Sequence, residues 1–341
     1  MTRISVVAAF ILGVAATVPL FGVGRPHLNL SDLVGDADVI VIADVSPSTP
    51  LKTPALVRSG TDIFAGHEYA SELRVRSVIK GRCPDRLTVK YALPESFMGY
   101  RPLQSGLKMV FLRLGGNGYE IVNQYYPDLP ASDEAVSVTD PLSDDQLVEV
   151  VLRQFANVIA SSTASESDKI WVLMYDYAIP ASELFKEALK KGVANAATQR
   201  MREKLQAELL IRGDLSELSS VVQLLLRNNA SPHTTSRLQY AISTLKDRRA
   251  VPSLIPLLSS SDRQTRAAAS EALWHIADPN TAEILLKALE DPYHEVRYCA
   301  VRALADITGE REWGPSIPEF KENEDRYLHH WKQWARSYRA R

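Results

Sequence analysis

The stretch Asp247 to Ala277, DRRAVPSLIPLLSSSDRQTRAAASEALWHIA, is repeated directly afterwards as Asp278 to Thr308, DPNTAEILLKALEDPYHEVRYCAVRALADIT. Both copies have 31 residues, with apolar residues at helical spacing on either side of a turn. Aligned without a gap, they match at Leu254/Leu285, Leu258/Leu289, Arg266/Arg297, Ala269/Ala300, Ala272/Ala303, Leu273/Leu304 and Ile276/Ile307. Each copy is predicted to be a helical hairpin, and hairpins of this kind bury their apolar faces only by stacking.

A less regular copy of this repeat begins at Asp214. Its second helix carries Ala241, Ile242 and Leu245, each 31 positions before its counterpart in the next copy, and its loop is two residues longer. Further hairpins are predicted at residues 168–190 and 196–212. Together these patterns predict an α-α solenoid over residues 143–309.

The segments Thr265-Arg266-Ala267 and Glu290 to Arg297 resemble HEAT-like repeats of the short, phycobilisome-lyase type. The resemblance covers at least residues 214–308, and it implies an armadillo-like solenoid that is used for binding. The bilin-lyase activity of some relatives belongs to particular proteins, so the repeat does not imply it here.

Two repeat positions carry specific structural predictions. Arg266 and Arg297 are predicted to form a hydrogen-bonding ladder between repeats, to loop carboxylates and carbonyls; a row of ligand-binding arginines is the alternative. Leu273 and Leu304 are predicted to face the core between the hairpins.

The tail, residues 310–341, departs from the repeat. Trp313 to Pro318 is predicted to be an extended connector, followed by a helix from Asn323 to Tyr338. Its apolar residues recur at helical spacing, at Tyr327, Leu328, Trp331 and Trp334. This helix is predicted to cap the last hairpin, with docking to another protein as the alternative.

Residues 28–130 have the pattern of a small β domain. After a short helix at 29–34, strands are predicted at 37–45, 69–79, 87–91, 108–113 and 119–122, with a long loop at 46–66. The run Gly115-Gly116-Asn117-Gly118 predicts a hairpin turn. Five short strands in about this length suit a small closed or partly closed barrel.

The strands ADVIVIADV, ELRVRSVIKG, RLTVKYALP and KMVFLR, between Ala37 and Arg113, resemble those of the netrin-type domain. The resemblance implies an OB-like barrel. Members of that family normally carry disulfides and an N-terminal cysteine, whereas this segment has only Cys83. The resemblance therefore does not imply metalloproteinase inhibition.

Between the two regions, residues 131–142 are predicted to be a linker. Ser143 and Gln146 have the spacing of a capping box, which predicts a helix from Asp144 to about Ser161.

Residues 1–24 have the pattern of a secretory signal peptide, because one basic residue precedes an uncharged apolar run. Cleavage is predicted after Ala16 or near Gly24; an uncleaved anchor is the alternative. The protein is therefore predicted to be exported, to the periplasm or the cell exterior, with no stable membrane span after cleavage. Cys83 and Cys299 are predicted to be separate thiols, one in a loop and one buried in a helix; an interdomain disulfide is the alternative.

Composition argues against several classes of function. There are 39 basic and 41 acidic residues, a net charge of −2, which gives no reason to expect nucleic-acid binding. The sequence has no HExxH, GxSxG, GxxxxGK[ST] or GxGxxG motif. His67-Glu68 and the adjacent His329-His330 are weak candidates for a metal site, so no metal or cofactor is predicted.

These observations favour an exported, non-enzymatic scaffold protein that binds a protein partner through the solenoid. Its partner-binding surface is predicted on the exposed side of the second helices, around Glu271, His275, Arg302 and Asp306. Two alternatives remain open: a lyase-like or other enzyme with a groove between barrel and solenoid, or an inhibitor that uses the barrel loops.

Overall fold

The computed structural model describes residues 28–59, 62–95, 101–116, 118–134, 141–174 and 182–339. The predicted signal peptide and half of the predicted linker, residues 135–140, lie outside the described residues. The chain divides into two compact units between Asn195 and Ala196. Within the described ranges, no helix is long and apolar enough to cross a membrane.

The first unit contains a curled antiparallel sheet, a half-barrel. Its elements up to residue 130 are α1 (Leu30–Gly35), β1 (Val39–Val45), β2 (Thr49–Ser59), β3 (Asp62–Lys80), β4 (Arg86–Pro94), β5 (Gly106–Gly115), β6 (Gly118–Ile121) and β7 (Asp128–Pro130). The long strand β3 pairs with β2 and β4 in its first part and with β1 in its last part. The strand predicted at 69–79 is therefore the last part of a longer strand that has three partners.

The predicted loop at 46–66 is wrong, because most of this segment forms the β2–β3 hairpin. Val57 is buried and lies opposite Phe64 in the antiparallel register. The pairing is irregular between Pro50 and Pro54. Proline has no N–H to donate to the ladder, so Pro50 and Pro54 favoured the prediction of a loop over that of a strand.

The described residues of the first unit also include the helices α2 (Asp144–Ala160), α3 (Glu166–Met174) and α4 (Glu183–Ala194). Ser143 and Gln146 cap α2 as predicted. The sequence analysis assigned these helices to the solenoid, but they lie in the same compact unit as the sheet. Both α2 and α3 contact β7, which places them against the edge of the sheet.

Polar contacts also tie these helices to the sheet. The Lys108 ammonium on β5 pairs with the Asp168 carboxylate on α3. The backbone N–H and the hydroxyl of Ser132 both donate to the Gln154 side-chain oxygen, at 3.0 and 2.9 Å. Ser132 is buried, so this end of the predicted linker packs against α2.

The second unit is a row of helical hairpins. Its helices are α5 (Gln199–Ile211), α6 (Leu218–Leu226), α7 (Thr235–Ser243), α8 (Val251–Leu254), α9 (Arg263–Ile276), α10 (Ala282–Ala288), α11 (His294–Thr308) and α12 (Ile317–Arg339). A 3-10 turn, Ile255–Ser259, extends α8. The helices α5, α7, α9 and α11 pack side by side in sequence, and we call them the second-helix row.

The prediction for the two leucines is confirmed, and the predicted ladder is confirmed from Arg266 to the following repeat, whereas Arg297 reaches α12. Leu273 and Leu304 are fully buried. Arg266 donates to both carboxylate oxygens of Asp291, at 2.6 and 3.0 Å, and to the Ser260 carbonyl at 2.9 Å. Arg297 donates to Glu324 at 2.5 Å and to the Asp291 carbonyl at 2.7 Å.

The terminal helix α12 packs against the last hairpin. Phe320 and Trp331 are fully buried in the same core as the repeats. The helix begins at Ile317, earlier than predicted, and bends at Asn323. The early start follows from Ser316, whose N–H and hydroxyl each donate to Glu319 at 2.7 Å.

Candidate functional site

Three of the four predicted partner-binding residues gather around Trp274, which the sequence analysis did not select. The indole N–H of Trp274 donates to Asp306 Oδ2 at 2.8 Å. The Arg302 guanidinium carbon lies 4.9 Å from the indole centroid, and the His275 ring lies 5.4 Å from it. Trp274 is only 5% exposed. Its buried ring therefore contacts all three polar side chains.

Glu271 does not belong to this exposed group. Its exposed position was predicted, but the side chain is completely buried. Glu271 faces α11, where burial first and then the Glu271 carboxylate raise the pKa of the Cys299 thiol. Position 271 lies one helical turn before positions 274 and 275, as predicted. The neighbouring helix α11 covers the side of α9 that carries Glu271.

Arg302 is half-buried and not on an open solvent face. Its Nη1 donates to the carbonyls of Gly314 and Pro315, at 3.0 and 2.8 Å. The guanidinium therefore joins α11 to the connector that leads into α12, while its flat face covers Trp274.

His275 lies next to Trp274, near the end of α9. Its Nδ1 is 3.1 Å from the carbonyl oxygen of Ser243 on α7. A carbonyl oxygen only accepts hydrogen bonds, so Nδ1 carries the hydrogen and donates it. This bond fixes the ring between two neighbouring second helices.

A groove of about 930 Å³ begins beside His275 and follows the C-terminal ends of α5, α7 and α9. We call it the helix-end groove. Its apolar and aromatic lining is Leu210, Ile211, Leu215, Tyr240 and Leu245. Its polar lining is Arg212, Thr244, Lys246, Asp247 and His275, and Gly213 also lines it.

A signal in the sequence could have found this groove. Tyr240 and Thr244 lie 31 positions before Glu271 and His275, so they occupy the same two repeat positions. Extending the predicted surface by one repeat toward the N-terminus would have placed it in the groove.

Two cationic residues, Arg212 and Lys246, and one acid, Asp247, line the groove. Lys246 is exposed, and Arg212 is the C-terminal capping residue of α5. Arg237 lies 5.6 Å from the Tyr240 ring and pairs with the buried carboxylate of Glu208. The groove's own acid, Asp247, is held by Arg249, whose hydrogen bonds lower the pKa of that carboxyl.

The histidines considered as metal ligands lie elsewhere. His330 Nε2 is 2.9 Å from Glu310 Oε2, and its ring stacks on Trp313 at 3.7 Å. His329 is next to Gln333. His67 lies on β3, in a strand and not in a loop, 3.4 Å from Glu95. Across the described residues, no group of three or more histidine, cysteine or acidic side chains is arranged to hold a metal ion.

The two cysteines are free, as predicted. Cys83 is half-buried in the turn between β3 and β4, and Cys299 is fully buried in α11. Burial, with a further contribution from Asp85, raises the pKa of the Cys83 thiol.

Comparisons with known proteins identify the repeat. The family model for HEAT repeats matches residues 219–316, from α6 to the connector before α12. This part of the chain therefore consists of HEAT-like repeats, which confirms that part of the resemblance. The residues around Trp274 lie within the matched range. The part of the helix-end groove formed by residues 240–247 and His275 also lies within it, whereas residues 210–215 precede it.

A solved structure with some likeness is the crystal structure of an engineered protein from a structural genomics consortium. It is 20% identical in sequence, and the match covers 58% of this chain and 93% of that chain with a TM-score of 0.26. No curated protein matches the chain.

Proposed function

We propose that this protein is an exported, non-enzymatic scaffold that binds a protein partner through its HEAT-like repeats. HEAT repeats often mediate interactions between proteins, and stacked hairpins present an extended surface suited to that role. The observation that carries the proposal is the helix-end groove, because three consecutive second helices contribute to one continuous cleft.

The lining of the groove supports protein recognition. An apolar floor with an aromatic ring and a polar rim is the composition of many protein-binding sites, where a few anchors supply most of the affinity. Tyr240 is half-buried, so part of its ring is available, and Arg237 and the helix around it hold it in place.

Two finer features belong to the same proposal. The 31-residue spacing supports repeats of the short, phycobilisome-lyase type, without the lyase activity. The long strand β3, shared between several neighbours in a curled sheet, supports an OB-like fold for the first unit.

Export is supported by the apolar, uncharged run that follows Arg3. The mass of the mature protein purified from the native cell envelope tests it. A chain that begins after Ala16 or near Gly24 is expected, and a mature chain that retains Met1 would contradict cleavage.

Binding at the groove is tested by site-specific photocrosslinking in native cells. A photoreactive amino acid is placed at Lys246, which lines the groove, or at Lys287 on α10, which does not. Both lysines are exposed, so neither substitution disturbs the core.

A discrete crosslinked protein band is expected from position 246 and not from position 287. The band should disappear when Tyr240→Asp is added to the chain. Identical bands from both positions, or no protein band from position 246, would contradict binding at the groove.

A further inference from the structure

A depression of about 520 Å³ lies on the sheet of the first unit, across the neighbouring strands β1, β3 and β4. We call it the sheet depression. The charged or hydroxyl-bearing residues that line it come in pairs two positions apart, so that the members of each pair share one face of the sheet. They are Asp44, Ser46, Glu72, Arg74, Arg86 and Thr88. Four of them are exposed and two are half-buried, so all six are accessible to a solute.

Two arginines face each other directly in the sheet depression. Arg74 on β3 is the register partner of Arg86 on β4. This pairing brings their Cβ atoms to about 4.5–5.5 Å, and like charges at directly opposite positions are destabilising. Among the residues that the structure describes, no ion pair or side-chain hydrogen bond involves either guanidinium group. A bound anion would relieve the repulsion between these two charges.

The acids of the sheet depression do not neutralise this pair. Asp44 is the register partner of Arg74 on the other side of β3, but its Oδ2 accepts from Arg76 Nε at 2.6 Å. Glu72 lies opposite Thr88 in the next row and forms no ion pair with any residue in the described ranges. Two arginines and one free carboxylate therefore leave one positive charge in excess.

Two hydroxyl groups supply further donors. Ser46 Oγ accepts from the Glu72 N–H at 2.8 Å, which leaves the hydroxyl hydrogen of Ser46 for another acceptor. The hydroxyl of Thr88 forms no hydrogen bond within the described part of the chain. The sheet depression thus presents two guanidinium groups and two hydroxyls as donors, together with one carboxylate that can only accept.

A phosphate group that retains a proton matches this combination of donors and acceptor. Its unprotonated oxygens accept from guanidinium and hydroxyl donors. Its P–OH group donates to a carboxylate, whereas a fully deprotonated oxyanion such as sulfate is repelled by that carboxylate. Inorganic phosphate retains at least one proton near neutral pH, and a phosphate monoester is about half protonated near pH 6.

We propose that the sheet depression binds a protonated phosphate group, with Arg74 and Arg86 donating to its oxygens and Glu72 accepting its proton. The hydroxyls of Ser46 and Thr88 donate to the remaining oxygens. The proposal is independent of binding at the helix-end groove, because every residue that it uses lies in the first unit.

The test is isothermal titration calorimetry of the full chain with sodium phosphate at about pH 6. Saturable binding is expected, and Arg86→Gln should weaken it about tenfold or more, since a charge-assisted hydrogen bond is lost. The control Arg113→Gln changes an exposed arginine on β5 outside the sheet depression and should bind as the parent does.

Loss of folding is measured separately, by urea denaturation in phosphate-free buffer. Arg86→Gln removes one of two like charges at opposite positions, so its free energy of unfolding should be equal to that of the parent or higher. Added phosphate should stabilise the parent more than the variant, because a ligand that binds only the folded state raises its stability.

Sulfate and Glu72→Gln test the role of the carboxylate. The parent should bind phosphate more tightly than sulfate, and Glu72→Gln should lose this preference, because a glutamine amide donates to an unprotonated oxygen as well. Methyl phosphate distinguishes the two sources of the group. If it binds, a phosphate group on a larger molecule is accepted, and if only inorganic phosphate binds, the ligand is the free ion; both results support the proposal. No binding of phosphate, an unchanged affinity of Arg86→Gln, or equal binding of sulfate by the parent would overturn it.

Discussion

The two consecutive repeats, residues 247–277 and 278–308, have the same core and different outer contacts. Leu273 and Leu304 share one repeat position and are both fully buried. The next position holds Trp274 in the first copy and Ala305 in the second. Trp274 packs against Tyr298 and bonds Asp306 of the following repeat.

Ala305 has a different neighbour, because no further repeat follows. The connector passes over it so closely that a Cβ on Gly314 would lie 2.9 Å from the Ala305 Cβ. The arginine ladder changes in the same way: Arg266 bonds Asp291 of the next repeat, whereas Arg297 bonds Glu324 of α12. The core positions thus have the same environment in both repeats. The contacts of the outer positions depend on the element that comes next in the chain.

The largest expected effect tests the shared core. Leu304→Ala should lower the free energy of unfolding by about 2–5 kcal/mol, because it removes buried methyl groups and leaves a cavity. Leu273→Ala should cost a similar amount if the two positions are equivalent. Both are measured by urea denaturation of the full chain, followed by tryptophan fluorescence. The helical unit holds Trp274, Trp313, Trp331 and Trp334 of the five tryptophans, so the signal reports mainly on it. A difference of more than about 3 kcal/mol between the variants would break the equivalence.

A smaller effect is expected from the ladder. Arg266→Ala removes hydrogen bonds to Asp291 in a pair whose side chains are only 13% and 10% exposed, and it should cost about 1.5–3 kcal/mol. Arg297→Ala should cost less, since the Arg297 and Glu324 side chains are 19% and 23% exposed. The same urea titration measures both. If Arg297→Ala were the more damaging change, the end of the solenoid would depend on the ladder more than its interior does.

Arg302→Ala sharpens the comparison at the outer positions. The sequence predicted that Arg302 lies on the exposed surface, but the structure gives Arg302 two bonds to the connector and a contact with Trp274. We expect a cost of about 1–2 kcal/mol, below that of Leu304→Ala. Faster amide exchange at residues 314–320 should accompany it. Unchanged exchange there would show that the connector is held without Arg302.

The smallest effect at neutral pH is expected from Tyr298→Phe. The phenyl ring keeps the packing on Trp274, and the lost bond to the Pro315 carbonyl is long, at 3.3 Å, so the cost should be below about 1 kcal/mol. The difference appears in alkali, because burial raises the pKa of the Tyr298 hydroxyl to about 12.

The sign follows from which state loses the proton first. The unfolded chain ionises this tyrosine at an ordinary pKa of about 10, before the folded protein does, so alkali favours unfolding. The stability that Tyr298 contributes is complete below that pH and is lost as the pH rises toward 12. Urea titrations at pH 7 and at increasing alkaline pH should show a shallower loss for Tyr298→Phe than for the parent. Parallel losses would contradict the raised pKa.

Local patterns explain which elements were predicted correctly. The helices from Leu218 to Thr308 follow from apolar periodicity and small residues, and the α2 start follows from Ser143 and Gln146. Strand β2 was missed because Pro50 and Pro54 are signals for loops, although the pairing of Val57 with Phe64 overrides them. Such long-range pairing is not encoded in the residues of β2 alone.

The candidate site was predicted only in part, for a related reason. His275, Arg302 and Asp306 were selected by helical phase, and they do meet around Trp274. Glu271 was assigned to the same surface but is buried against α11. Helical phase gives the direction of a side chain from its own axis and does not show whether another helix lies in that direction.

The repeat, its register and the residues of its core could all be predicted from the sequence. Those features depend on apolar spacing within some 31 residues, which each hairpin carries in full. The tertiary structure alone decided that the helices from Asp144 to Ala194 join the sheet, that Glu271 is buried, and that Ile211, Tyr240 and Lys246 line one groove. These outcomes depend on which surfaces meet when elements distant in sequence pack together, since the burial of a polar or amphipathic residue is set by its neighbours in space.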